Sequence, residues 1–301
     1  MNDLQADADD QPRLGEADVG DVTLGYTEWH RELRGTGPTL LFIHATGFHA
    51  RIWDEIVKRL PAHHIICLDQ RGHGRSTGTG VKHWQVFCDD LIGFVEALDL
   101  SDIVAIGHSM GGHAAIAAAA KLQTRFRKII LIDPVVMPPA YYDRAAAIFP
   151  EGTLHPSAKR RRNFQTAEEM IERFEDRSPY SLFTRQTLEN YCRHGLVPNE
   201  DGEGLTLACA PDMEASVYTA SLSNKAIFDH ARAVEIPVLI LRANAPDDPA
   251  NLSFTSSPTW EGLVDVFPNA REIYRPDLTH FMPMQVPGEM ADLIVSELEG
   301  A

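Results

Sequence analysis

Cysteine is scarce in this sequence, and long apolar runs are missing. The four cysteines, at positions 67, 88, 192 and 209, include no C-x-x-C pair, so we predict reduced thiols and neither a disulfide framework nor a zinc site. No stretch approaches the roughly 18 apolar residues of a membrane span, and we therefore expect no membrane partner.

Basic residues are also in short supply. Lys and Arg number 27 against 43 Asp and Glu, which gives a net charge of −16. A chain of this charge has little attraction for nucleic acid or anionic lipid, so we expect neither as a partner. The N-terminal segment MNDLQADADDQ lacks the basic and apolar regions of a secretory signal, which predicts a cytoplasmic location. A small-molecule substrate is the expected partner, and a homo-oligomer is compatible with the sequence.

What the sequence does contain is a series of short, continuous apolar runs rich in Ile, Leu and Val. They lie at 39–44, 64–69, 102–108, 128–133 and 237–243. Runs of this length without alternation are typical of strands buried on both faces of a parallel sheet. Helix-length segments separate them, so we predict an α/β fold with a mostly parallel central sheet flanked by helices.

The alternation of strands and helices stops after Asp133-Pro134 and resumes near Ile236. Helical signals fill the interval: Thr166 followed by Glu169 is typical of a capping box. We therefore predict a helical cap at 136–230, inserted after the sixth strand. The core is predicted to consist of 18–135 and 231–301, preceded by a mobile acidic tail at 1–17.

One short motif carries the chemistry. Residues 107–111 read GHSMG, a G-x-S-x-G pattern with a buried strand before it and an alanine-rich helix after it. A sharp strand-to-helix turn needs small neighbours and lifts the serine hydroxyl above the sheet. It also directs the first amides of the helix at a bound group that gains negative charge. Ser109 is the predicted nucleophile.

In this motif the chain resembles the α/β-hydrolase family, and three further segments occur in the family order. HATGF at 44–48 looks like the His-Gly loop before the first helix, DQRGHGRS at 69–76 looks like the D-x-R-G-H-G-x-S turn, and THFMP at 279–283 looks like the late G-H-F-x-P segment. The resemblance covers nearly all of the chain from about residue 20 and implies an α/β-hydrolase fold, a Ser-His-acid triad and no cofactor or metal.

A serine hydroxyl needs a base, and the base needs a carboxylate that orients it. His280 follows the last predicted strand and is the candidate base. The resemblance implies an acid just past the strand at 237–243, where counting from the strand end favours Asp247 over Asp248. Asp133, at the end of the preceding strand, is where some relatives carry the acid.

The resemblance also implies an oxyanion hole made by two amides. One is the amide after the nucleophile, that of Met110, and we assign the second to Thr46 with Ala45 as the alternative. Ala45 stands where the family usually has glycine, and this departure narrows the first loop.

The leading functional hypothesis is a serine hydrolase that cleaves a carboxylic ester or lactone of a small, partly apolar substrate. The alternatives are a carbon-carbon bond hydrolase of the ring-cleavage type and a low-turnover ligand receptor on the same fold. Within the cap, the basic run at 159–162 is interpreted either as a site for an anionic substrate or as a solvated or salt-bridged surface.

Overall fold

The computed structural model describes residues 11–246 and 253–299 of the chain. The strands of this part are β1 Arg13–Val19, β2 Val22–Trp29, β3 Thr39–Ile43, β4 Ile65–Leu68, β5 Ile103–His108, β6 Phe126–Ile132, β7 Asn163–Phe164, β8 Leu196–Pro198, β9 Leu205–Leu207, β10 Val238–Ala243 and β11 Ala270–Arg275. Its α-helices are α1 Asp54–Val57, α2 Gln85–Ala97, α3 Met110–Lys121, α4 Pro139–Asp143, α5 Ala145–Ile148, α6 Ala167–Phe174, α7 Arg185–His194, α8 Pro211–Thr219, α9 Ile227–Ala233, α10 Met282–Gln285 and α11 Pro287–Glu299.

The main sheet has eight strands in the order β1-β2-β4-β3-β5-β6-β10-β11. The pairs from β4 to β11 are parallel, whereas β2 runs antiparallel to both β1 and β4. The predicted α/β fold with a mostly parallel sheet is confirmed, and each of the five apolar runs contains one of its strands.

Both faces of this sheet are covered, which explains the continuous apolar runs. In β3, Leu41 and Ile43 belong to the apolar cluster that contains α2, α3 and α9, whereas Leu40 and Phe42 belong to the opposite cluster with α1 and α11. Because neighbouring side chains of a strand point to opposite faces, every position of such a strand must be apolar.

The predicted boundary of the N-terminal tail at residue 17 is wrong, because it falls inside β1. Residues 13–17 form part of β1, which pairs with β2 from Arg13 opposite Glu28 to Val19 opposite Val22. Only Ala17 and Val19 of β1 are buried, so the segment lacks the apolar run by which the other strands were predicted. Residues 1–10 lie outside the described part.

The segment between β6 and β10 is mainly helical, but it also contains a small antiparallel sheet in the order β7-β9-β8. We use the term cap for residues 136–226, because the predicted boundary at 230 falls inside α9, and α9 packs on α3 of the core. No helix in the described residues is long and apolar enough to cross a membrane.

Candidate active site

Ser109 occupies the bend between β5 and α3. Its backbone has φ 57° and ψ −120°, a left-handed conformation that is rare for residues other than glycine. The Ser109 N–H donates to the carbonyl of Ile132 at 3.1 Å, and the N–H groups of Gly112 and His113 donate back to the Ser109 carbonyl. These bonds tie the bend to both the neighbouring strand and the following helix.

The two glycines of the motif allow this close packing. A Cβ added at Gly111 would lie 2.2 Å from the carbonyl oxygen of Ile43, and one at Gly107 would lie 2.7 Å from the carbonyl oxygen of Gly111. Backbone atoms therefore lie too close to both glycines for a larger side chain, which agrees with the expectation that the turn needs small residues on both sides of Ser109.

His280 lies beside the serine. Its Nε2 is 3.0 Å from Ser109 Oγ, and its own backbone N–H donates to the carbonyl of Thr255 at 2.8 Å. From below, His108 Nε2 donates to the carbonyl of His280 at 2.8 Å. Burial lowers the pKa of His108 to about 3, so this neutral ring supports the backbone of His280. No sequence pattern predicts that contact, because the two histidines are 172 residues apart.

The other nitrogen of His280 contacts a carboxylate that is fully buried. His280 Nδ1 lies 2.6 Å from Asp133 Oδ2, at the end of β6. The remaining oxygen, Oδ1, accepts from the Ala243 N–H at 2.9 Å and from the Ser257 hydroxyl at 2.5 Å. Both carboxylate oxygens are therefore hydrogen-bonded.

This contact corrects the preference for Asp247. An imidazole has only one Nδ1, and the Nδ1 of His280 contacts Asp133. Asp133 follows β6, whereas the favoured Asp247 comes after β10. Asp247 and Asp248 lie outside the described residues. The sequence offered Asp133 as a candidate, but it held no information on which strand end faces the histidine.

Asp133 is held in its charged form. Burial by itself raises the pKa of this carboxyl, but the hydrogen bond and charge of His280, with the bonds from Ser257 and Ala243, outweigh burial and leave the pKa below its usual value. A charged carboxylate on Nδ1 fixes the tautomer in which Nε2 can accept a proton from a hydroxyl.

The first loop, Ala45 to Gly47, follows β3 and borders the same space as Ser109. The His44 side chain holds this loop in place through both ring nitrogens. Its Nδ1 donates to the Ala45 carbonyl at 2.7 Å, and its Nε2 accepts from the Gln70 N–H at 2.9 Å. The Thr46 hydroxyl lies 3.5 Å from Met110 Sδ, so the two residues predicted to supply oxyanion amides are in contact. Ala45 and Thr46 both line the cavity, and their amides remain the alternatives for the second donor.

A cavity of about 300 Å³ opens above Ser109 and His280. The core side includes Phe48, Trp84 and Phe281. The cap contributes Met137, Tyr141, Phe149, His155, Tyr218 and Leu222. Ser109 itself is only 5% exposed, and it borders this cavity, whose wall the cap partly forms.

Two arginines of the basic run of the cap form salt bridges. Arg160 is largely buried and pairs with Glu214 and with the Tyr191 hydroxyl, while Arg161 pairs with Glu169. These contacts agree with the salt-bridged interpretation of the run. Neither arginine borders the cavity above Ser109.

Other histidines of the sequence have structural partners. The buried His64 lies between the Thr39 hydroxyl at 2.9 Å and Glu28 at 2.9 Å, and His63 contacts the carbonyl of Pro61. Within the described ranges, no group of three His, Cys, Asp or Glu side chains is arranged to hold a metal ion.

Comparisons with known proteins find one family match over most of the chain and relatives over part of it. Residues 40–293 match the family described as "Alpha/beta hydrolase family". A 2-(acetamidomethylene)succinate hydrolase of Mesorhizobium japonicum is 32% identical over 135 residues, 44% of this chain and 46% of that protein. A monoglyceride lipase of Rattus norvegicus is 35% identical over 112 residues, 34% of this chain and 37% of the lipase. The aligned part thus spans less than half the length of these curated relatives.

A solved structure gives a likeness over nearly the whole chain. The crystal structure of E-2-(acetamidomethylene)succinate hydrolase superposes with a TM-score of 0.73 and 22% identity, covering 96% of this chain and 100% of the other. At this identity the likeness supports the fold alone.

Proposed function

Because the chain belongs to the alpha/beta hydrolase family, we propose that it is a serine hydrolase that cleaves a carboxylic ester or lactone. The observation that carries this proposal is the chain of contacts from Ser109 Oγ to His280 Nε2 at 3.0 Å and from His280 Nδ1 to Asp133 at 2.6 Å. A hydroxyl, an imidazole and a charged carboxylate in this order are the parts that nucleophilic acyl transfer requires.

In the first half of the reaction, Ser109 Oγ attacks the carbonyl carbon and its proton passes to His280 Nε2. Asp133 stabilises the imidazolium through Nδ1–H. The carbonyl oxygen becomes an oxyanion that accepts from the amides of Met110 and Thr46, with Ala45 as the alternative to Thr46. Each important donor of this kind contributes about 3 to 4 kcal/mol.

In the second half, His280 donates the proton to the leaving alcohol oxygen as the carbon–oxygen bond breaks. A water molecule then attacks the acyl-enzyme while His280 accepts one of its protons. Return of that proton to Ser109 Oγ releases the acid and restores the enzyme. For a lactone, the alcohol and the acid leave as one hydroxy acid.

The test uses a matched pair of serine variants. We expect Ser109→Ala to lose labelling by a fluorophosphonate probe and to lower 4-nitrophenyl butyrate turnover by at least about 10⁴-fold, because the nucleophile is absent. Ser221→Ala removes a different hydroxyl that lines the same cavity, and it should keep the labelling.

Two outcomes would point to the other candidate functions. Labelling of Ser109 without ester or lactone turnover would favour the carbon-carbon bond hydrolase, which would then be tested with vinylogous diketones. Absence of labelling, with turnover unchanged in Ser109→Ala, would overturn the nucleophile and favour a ligand receptor.

A further inference from the structure

The cavity above Ser109 is lined by apolar groups, hydroxyls and the imidazoles of His155 and His280, but by no lysine or arginine. None of the 27 lysines and arginines is among its lining residues. All 27 lie in the described residues, since 1–10, 247–252 and 300–301 contain neither Lys nor Arg. The statement therefore holds for every basic residue of the chain.

The basic run of the cap is the obvious source of such a cation, but its three arginines have other partners. The guanidinium of Arg160 pairs with buried Glu214 and lies against Gly47 on the far side of the first loop, where an added Cβ would be 3.6 Å from Nη1. Arg161 pairs with Glu169 and stacks over Phe164, and Arg162 Nε donates to the Thr206 hydroxyl at 3.2 Å.

Several of the polar groups that line the cavity are hydroxyls. They include the hydroxyls of Ser221, Ser253 and Ser256, which can hydrogen-bond an ester oxygen but cannot neutralise a carboxylate. His155 also lines the cavity, stacked on Tyr218 with ring centroids 4.4 Å apart. Desolvation lowers the pKa of His155, so this ring adds no positive charge at neutral pH.

Desolvation then decides which ester can enter. Moving a carboxylate from water into an apolar cavity is strongly unfavourable unless a cation pairs with it, whereas the same transfer is favourable for an alkyl or aryl group. The net charge of −16 further opposes the approach of anions.

We propose, on the basis of the proposed hydrolase function, that the substrate carries no anionic group in its acyl or its alcohol part: it is an apolar ester or lactone, and carboxylate-bearing esters are excluded because no lysine or arginine lines the cavity.

The experiment compares two pairs of esters in which one member carries a carboxylate and the other a neutral amide or methyl ester in its place, with rates given per cleavable ester group. For the alcohol part, 4-carbamoylphenyl butyrate is compared with 4-carboxyphenyl butyrate. For the acyl part, dimethyl adipate is compared with monomethyl adipate. We expect kcat/KM to be about 100-fold or more higher for the neutral member of each pair, after correction for base hydrolysis. A ratio below tenfold in either pair would overturn the proposal.

A gain of charge tests the same idea from the protein side. Ser221→Lys places an ammonium group at the cavity wall and should shift the ratio at least tenfold toward the anionic esters, whereas the uncharged Ser221→Met of similar length should not. An equal shift in both variants would show that size and not charge sets the preference, and would overturn the proposal.

Binding separates this inference from the proposed function. Ser109→Ala cannot form an acyl-enzyme, so calorimetry with the two phenyl butyrates measures the cavity's preference without turnover. If the wild type hydrolyses no ester, the proposed function fails. The inference is then upheld by at least tenfold tighter binding of the carbamoyl ester to Ser109→Ala, and overturned by equal binding.

Discussion

At the scale of single residues, the decisive feature is the direction of one carboxylate. Asp133 adopts φ 46°, a left-handed conformation that aspartate tolerates better than most residues. Its N–H donates to the Leu241 carbonyl at 2.7 Å, which anchors the bend to β10. The backbone thus turns the carboxylate away from its own strand and toward His280.

We expect Asp133→Asn to lower kcat by about 10⁴-fold with little change in fold, because a neutral amide no longer fixes the tautomer of His280. Ester turnover and the rate of fluorophosphonate labelling measure the effect. Asp247→Asn and Asp248→Asn serve as controls and should stay within about threefold of the wild type. A loss in Asp247→Asn as large as that in Asp133→Asn would contradict the assignment of the acid.

The sequence could not choose between these carboxylates for a physical reason. Asp133 follows β6 and Asp247 comes soon after β10, and the two strands are hydrogen-bonded neighbours in parallel register. Residues that follow neighbouring parallel strands emerge at the same edge of the sheet. Only the backbone turn at Asp133 and the hydrogen bonds to its carboxylate single out one of them.

At the scale of elements, local signals predicted some cap features and missed others. The Thr166 hydroxyl accepts from the Glu169 N–H at 3.1 Å and caps α6, as the capping-box pattern predicted. The small sheet escaped prediction because β7, β8 and β9 have two or three residues each, too few for any periodicity. The pairing of these strands depends on contacts between distant segments.

The buried pair of Arg160 and Glu214 sets the stability of the cap. Burial raises the pKa of Glu214 although Arg160 opposes this, so the glutamate needs its partner. We expect Arg160→Met to lower the free energy of unfolding by about 3 to 5 kcal/mol, since a buried carboxylate would remain without its cation. Chemical denaturation followed by circular dichroism measures this change.

Two controls accompany that variant. Arg161→Met removes a more exposed ion pair of the same run and should cost at most about 1 kcal/mol. The double variant Arg160→Met with Glu214→Gln should recover most of the loss, because no charge is then left buried. Equal losses for Arg160→Met and Arg161→Met would refute the role of the buried pair.

At the scale of the whole molecule, the sheet was predictable because burial on both faces leaves an apolar run in the sequence. β1 was not, since it has water on one side and pairs only with β2 at the edge of the sheet. The site was predictable where its chemistry is local, as at Ser109 in the turn. The supports of His280 come from β5 and from the loop after β10, which only the folded chain brings together.

Buried histidines make the molecule sensitive to acid. Burial lowers the pKa of His49 and His108 to about 3, that of His73 and His113 to about 4, and that of His44 well below its usual value. An unfolded chain binds protons at its histidines from about pH 6.5 downward, whereas these five stay neutral in the folded chain. Stability is therefore retained above about pH 6.5 and falls as the pH drops toward 4.

We expect the free energy of unfolding to decrease by about 1 kcal/mol for each of these histidines between pH 6.5 and 5.5. Buried carboxyls oppose this trend, because burial raises the pKa of Asp69 to about 6 and the folded state takes up its proton first. Burial also raises the pKa of Asp54, Asp90 and Glu214, so four such carboxyls stand against the five histidines. Urea denaturation at several pH values measures the slope. A midpoint that stays constant between pH 6.5 and 5.5 would contradict the neutral state of the buried histidines.

The segment 253–259, which follows β10, contacts both His280 and Asp133 and also lines the cavity. Thr255 holds the backbone of His280, Ser257 holds Asp133, and Ser253 and Phe254 line the cavity above Ser109. Any substitution that reshapes this wall also disturbs the base and the carboxylate that orients it. Variation in selectivity, by evolution or in the laboratory, is therefore less constrained on the opposite wall, where Met137 and Leu222 have no part in holding the histidine or its acid.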